Sequence, residues 1–113
     1  VNSTESGLQY EVLAEGQGDM PTEESIVEVD YQIMLSNGRI IDSSYERSQS
    51  STFQLKAIMV PGFIEGVKLM NVGSKYRFWI HPDLAYGKDG TQTIEPNTLL
   101  IVEVELKAIK QAL

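Results

Sequence analysis

Three stretches of the chain alternate apolar and polar residues with the period of a half-buried strand. From Ile26 to Leu35 the odd positions Val27, Val29, Tyr31, Ile33 and Leu35 are apolar, with Glu28, Asp30 and Gln32 between them. The odd face is therefore expected to look into a core. From Ser74 to Ile80 the core face is Tyr76, Phe78 and Ile80, and Lys75, Arg77 and Trp79 point away from it. Leu100, Val102, Val104 and Leu106 alternate in the same way with Glu103, Glu105 and Lys107. Leu8, Tyr10 and Val12 repeat the pattern more briefly and predict an N-terminal strand.

Turn and helix signals connect these strands. Ser36-Asn37-Gly38-Arg39 follows the first alternation at once. Asn-Gly predicts a hairpin there because both central residues tolerate positive φ, returning the chain through Ile40-Ile41-Asp42. Pro61 to Met70 reads as the one helix: Pro61 suits its start, Glu65 complements the first turn, and Asn71-Val72-Gly73 supplies a stop. Phe63, Val67 and Met70 share one stripe, to be laid against the sheet. Gly66 costs about 1 kcal/mol relative to Ala inside a helix. Either a close approach of helix to sheet or simple tolerance accounts for it. Many short antiparallel strands with one helix make an α+β fold.

Composition then narrows the class. The 113 residues suffice for one core and not for two. Residues 1–113 are expected to form one domain, with 1–25 as N-terminal strand and lead-in and 26–113 as the main body. A hydrophobic content of 42% and a charged content of 22% argue against disorder. The net charge of −7, with its few cations scattered, would repel a phosphate backbone, so nucleic acid is not an expected partner. Apolar runs fall far below the roughly 20 residues that span a bilayer, and no basic-then-apolar leader opens the sequence. The chain is expected to be soluble as given, whether mature or trimmed. Without Cys it has no disulfide, thiol nucleophile or Cys-based zinc site. The single His81 stands in Ile80-His81-Pro82, where a strand should end, without the converging partners that a metal or catalytic site needs. No metal or cofactor is expected.

Five short segments carry more together than any one of them alone. They are Val29-Asp30-Tyr31, Ile41-Asp42-Ser43-Ser44, Val60-Pro61-Gly62-Phe63-Ile64-Glu65-Gly66, Ala85-Tyr86-Gly87, and Ile94-Glu95-Pro96-Asn97-Thr98-Leu99-Leu100. In that order and at these spacings, over Val27 to Leu106, the chain resembles the FKBP-type peptidyl-prolyl isomerases, the macrolide-binding immunophilins. The opening Ser6-Gly7-Leu8-Gln9-Tyr10-Glu11-Val12-Leu13, followed by Gly16-Gln17-Gly18, is similar to the bacterial exported branch. The resemblance implies a curved antiparallel sheet of about five to six strands wrapped around one short α-helix. It also implies a periplasmic or outer-membrane-associated place in a bacterium, with the cytoplasm left open.

The implied activity is cis-trans isomerisation of X-Pro bonds in unfolded or partly folded proteins. Its barrier of about 20 kcal/mol comes from lost amide resonance, so no proton need move. A chain poor in acid–base groups can therefore perform it. By resemblance Tyr31, Asp42 and Tyr86 take the catalytic positions. Tyr31 is the pocket tyrosine, Asp42 a buried carboxylate paired with Arg47, and Tyr86 a hydroxyl donor. Ile41, Arg47, Phe53, Met59, Val60, Phe63, Ile94 and Val102 match the substrate or macrolide pocket, with the Val60 N–H meeting a ligand carbonyl, Phe63 as floor and Ile94 as wall. On their own, Tyr31, Val60 and Phe63 read as plain core, and Asp42 with Arg47 as a solvated pair worth well under about 1 kcal/mol.

Several positions depart from the family pattern. Ile41 and Val102 stand where aromatics are usual, Phe63 where Trp is common, and Glu95 where Pro is common. One residue is missing between Phe53 and Val60 and another within Thr91 to Thr93. The pocket is thus expected to be wider and less aromatic, and the flap from Lys88 to Asn97 is the least transferable part. Expected partners are proline-containing polypeptides and, with weakened affinity, macrolides of the rapamycin and tacrolimus type. Two other functions stay open: an FKBP-fold chaperone or peptide-binding module with little or no isomerase activity, and a domain that only positions or dimerises a larger protein.

Overall fold

The computed structural model describes residues 1–92 and 94–110. Its strands are β1 (Asn2–Ser3), β2 (Gln9–Ala14), β3 (Ile26–Met34), β4 (Ile40–Ser43), β5 (Ser51–Gln54), β6 (Lys75–Ile80) and β7 (Leu100–Lys110). All pair antiparallel in one sheet of seven, ordered β1-β2-β6-β7-β3-β4, and β5 pairs β3. Seven exceed the expected five to six because β1 has two residues and β5 four, too few to show an alternation. β7 pairs β3 along its whole length, from Ile26↔Lys110 to Met34↔Ile101. On the other edge of β3, β5 takes Ile26 to Val29 and β4 takes Gln32 to Met34, leaving Asp30 and Tyr31 between them.

The alternation translates into burial. Tyr76, Phe78, Ile80, Leu100, Val102, Val104 and Leu106 are all buried, as are Val27 and Val29. Tyr31 and Ile33 are only half-buried, and both border a cavity. Trp79 lies half-buried on the opposite face, between Gln9 and Ile101. The hairpin forms with different chemistry from the expected one. Gly38 has φ 89 while Asn37 is not among the positive-φ residues, and the Gly38 N–H donates to Leu35 O at 2.9 Å. This is a type I turn closed by a left-handed glycine, with Asn37 Oδ1 accepting from the Arg39 N–H at 2.9 Å.

Helix α2 spans Pro61–Lys68 and lays Phe63 and Val67 on the sheet, with Met70 buried just beyond it. Glu65 is past the first turn, which carries no acid; it accepts instead from Ser6 Oγ at 2.5 Å. Gly66 has a packing reason: a Cβ there would stand 2.7 Å from Phe78 Cε1. One short helix escaped the periodicity, the single turn α1 (Ser44–Arg47) between β4 and β5.

Candidate active site

Between α2 and the sheet lies an open cavity of about 370 Å³. Eight of the predicted residues line it: Tyr31, Phe53, Met59, Val60, Phe63, Tyr86, Ile94 and Val102. The sequence reading missed Ile33, Ser51, Ala57, Ile58, Ile80 and Leu100, which also line it. Ile33, Ile80 and Leu100 were findable, since each is a neighbouring inward position on a strand already read as alternating. Phe63 is 7% exposed and its ring meets Phe53 at 6.0 Å between centroids. Met59, by contrast, is 83% exposed at the mouth.

Two donors on the lining have no protein acceptor among the described residues: the Val60 backbone N–H and the Tyr86 hydroxyl. Val60 caps α2 in an extended conformation, so helix formation does not use its N–H. Tyr86 follows a 3-10 turn at Pro82–Leu84, and Gly87, at φ 60, folds back to donate to Pro82 O at 2.7 Å. In the flap, the Thr91 N–H donates to Ile94 O at 2.7 Å and the Ile94 N–H to Thr91 Oγ1 at 3.0 Å. Thr93, on which the missing residue of that stretch bears, lies outside the described residues.

Behind the lining, Tyr31, Asp42 and Arg47 form a closed triangle. The Tyr31 hydroxyl donates to Asp42 Oδ2 at 2.7 Å, Arg47 Nη1 to Asp42 Oδ1 at 2.5 Å, and Arg47 Nη2 to the Tyr31 oxygen at 2.9 Å. The guanidinium carbon lies 5.5 Å from the Tyr31 ring centroid. Two expectations are corrected here. Asp42 is not buried, for its side chain is 42% exposed and that of Arg47 46%, and neither lines the cavity. Only Tyr31 of the three reaches the wall. Ile41 does not line it either. Ile33 pairs with Asp42 and Met34 with Ile40, so Ile41 is the extra residue of a bulge and packs on the core edge instead. His81 holds Gln9 Oε1 at 2.9 Å and is not on the lining.

Partial burial would raise the Asp42 carboxyl, but hydrogen bonds from Tyr31 and Arg47 and the Arg47 charge outweigh it, so its pKa lies below 3.8. At Asp30 burial likewise raises the carboxyl, but hydrogen bonds from Ser44, Lys107 and Ser50 and the Lys107 charge overcome it, so its pKa is also lowered. A depressed folded value stabilises above the unfolded one and is lost as pH falls through it. Urea midpoints are accordingly expected to be level from pH 8 to about 5 and to fall below about 4. Asp42→Asn should flatten part of that acid fall; an unchanged acid limb would disprove the assignment.

An open antiparallel sheet wrapped on α2 thus borders an apolar cavity whose lining carries two donors unpaired among the described residues. The FKBP-type peptidyl-prolyl cis-trans isomerase family matches residues 18–107, and the chain belongs to that family. It is 46% identical, over 98% of its length, to the FKBP-type isomerase FkpA of Aeromonas hydrophila, and spans 41% of that relative. To the isomerase Mip of Coxiella burnetii it is 41% identical over 98% of its length, spanning 48% of that protein. The crystal structure of Escherichia coli FkpA superposes with a TM-score of 0.95 at 38% identity, covering 99% of this chain and 52% of that one. AtFKBP13 superposes with a TM-score of 0.88 at 26% identity, covering 96% and 97%. The chain thus spans about half or less of the length of these FkpA and Mip relatives.

Proposed function

We propose that this chain is a peptidyl-prolyl cis-trans isomerase domain acting on X-Pro bonds of unfolded or partly folded proteins. The observation that carries this reading is the apolar cavity with the Val60 N–H and Tyr86 hydroxyl on its lining, both unpaired among the described residues. Twisting the amide removes the resonance that gives the planar form its charge separation and its barrier of about 18–20 kcal/mol. An apolar wall of Phe63, Ile94 and Val102 around the proline ring favours the less polar twisted amide over the planar one. Val60 and Tyr86 then supply donors for carbonyl oxygens of the bound segment. Tyr31 shapes the wall, while Asp42 and Arg47 hold its hydroxyl in place. Catalysis is thus positioning and desolvation, with no proton transferred.

The test is a protease-coupled or magnetisation-exchange assay on short X-Pro peptides. Turnover is expected, with kcat/KM level from about pH 6 to 8, where a neutral-pH acid or base would titrate. His81→Ala should leave the rate unchanged. A bell-shaped profile, or binding of unfolded chains without turnover, would overturn the reading, the second outcome in favour of a peptide-binding module. Macrolides of the rapamycin type enter the same cavity in this reading. Val102, where an aromatic is usual, and the absence of position 41 from the wall reduce apolar contact, and with it affinity, at roughly 25 cal/mol per Å². The resemblance to the exported bacterial branch supports a periplasmic place; among the described residues no helix is long and apolar enough to cross a membrane.

A further inference from the structure

We propose that Asp30, on the face of the sheet opposite the cavity, is a positioning residue for the rim formed by Tyr31, Asp42 and Arg47. This rests on the isomerase reading of the site. β4 and β5 leave the edge of β3 uncovered at Asp30 and Tyr31, and α1 fills the gap. Ser44 Oγ takes the place of a ladder carbonyl there, accepting from the Tyr31 N–H at 2.8 Å.

The same carboxylate oxygen of Asp30 ties both ends of the segment that carries Arg47. Oδ1 accepts from Ser44 Oγ at 2.9 Å and from Ser50 Oγ at 3.2 Å, and Lys107 Nζ approaches Oδ2 at 3.4 Å. Ser44 is wholly buried and the Asp30 side chain is 14% exposed, so these bonds are shielded from water. α1 has four residues, and a single turn fixes many dihedrals for few hydrogen bonds of its own. Its position therefore depends on outside ties. Arg47, the last residue of that turn, delivers its guanidinium to Asp42 and Tyr31 on the cavity side. Without Asp30 the Ser44 hydroxyl keeps only a poorer acceptor, Tyr31 O at 3.4 Å. Both anchors of the segment then loosen together, and Arg47 with them.

Asp30→Ala should lower kcat/KM roughly fivefold, the scale of one lost hydrogen bond. Asp30→Asn keeps an acceptor oxygen and should recover most of the rate. In an Arg47→Ala background Asp30→Ala should cost nothing further, because the residue it acts through is gone. An equal loss in that background would overturn the proposal. A second readout does not depend on turnover. The Arg47 Nε–H NMR signal should shift and broaden in Asp30→Ala, and in the milder Ser50→Ala should Asp30→Ala fail to fold. An unmoved signal in the folded variants sinks the positioning role even if the domain proves to have no isomerase activity, whereas a moved signal without turnover sinks only the functional reading.

Discussion

Gly66→Val is expected to destabilise the fold by about 3 kcal/mol, and Gly66→Ala by about 1–2. In an ordinary helix the alanine substitution would stabilise by up to about 1 kcal/mol, because glycine has more backbone entropy to lose. Here a Cβ would meet three ring carbons of Phe78, at 2.7, 2.9 and 3.0 Å. Phe78 is wholly buried and tilted against Tyr10 and Tyr76, with centroids at 6.4 and 5.9 Å, so its ring has nowhere to retreat. Overpacking of that kind costs about 1–3 kcal/mol and more for a branched side chain, which outweighs the entropic gain. Gly62, one turn earlier, is under the same constraint, for a Cβ there would stand 2.6 Å from Ile80 Cγ2. Together they let α2 settle low enough for Phe63 to floor the cavity. Urea denaturation measures the effect, and Phe78→Leu should relieve part of the Gly66→Ala loss in a double-mutant cycle. A Gly66→Ala domain as stable as the parent would mean that the helix stands farther off.

What could be read in the sequence was what periodicity and local chemistry encode. β3, β6 and β7 carry six or more residues each and face one core, so burial wrote their alternation into the chain. Pro61 marked the start of α2, while Gly66 left its closeness to the sheet as one of two readings. β5 was invisible because Ser51-Thr52-Phe53-Gln54 holds one apolar residue, half-buried against the cavity rather than in an alternating face. α1 is held by long-range contacts to Asp30 and Tyr31, which no local pattern records. The site divides in the same way. Tyr31, Phe63 and Val102 read by pattern only as inward-facing, and it was the family resemblance that put them on the lining; Ile41, matched in the same way, left it through a bulge that only the β3–β4 register reveals. Asp42 and Arg47 were paired correctly, but their exposure depends on how far α1 overhangs the rim, a tertiary quantity.

Phe63→Ala is expected to lower kcat/KM at least about tenfold while the domain stays folded. A tenfold loss corresponds to about 1.4 kcal/mol, or roughly 60 Å² of apolar contact at 25 cal/mol per Å². The floor ring is large enough to supply that to a proline. Truncating Phe in a closed core costs about 3–5 kcal/mol, part of it for the void left behind. Phe63 already borders an open cavity, so water can occupy the space and the stability loss should be nearer 2 kcal/mol, the transfer part alone. The damage to function should therefore outlast the damage to stability, which circular dichroism and a urea midpoint on the same sample can establish. Phe63→Trp should keep turnover and tighten rapamycin-type macrolides, since it restores aromatic surface where the cavity has room. Ile41→Phe should do neither, because position 41 does not reach the lining. If a folded Phe63→Ala domain turned over X-Pro peptides within threefold of the parent, proline would not be binding on this floor, and the cavity would lose its assignment as the active site.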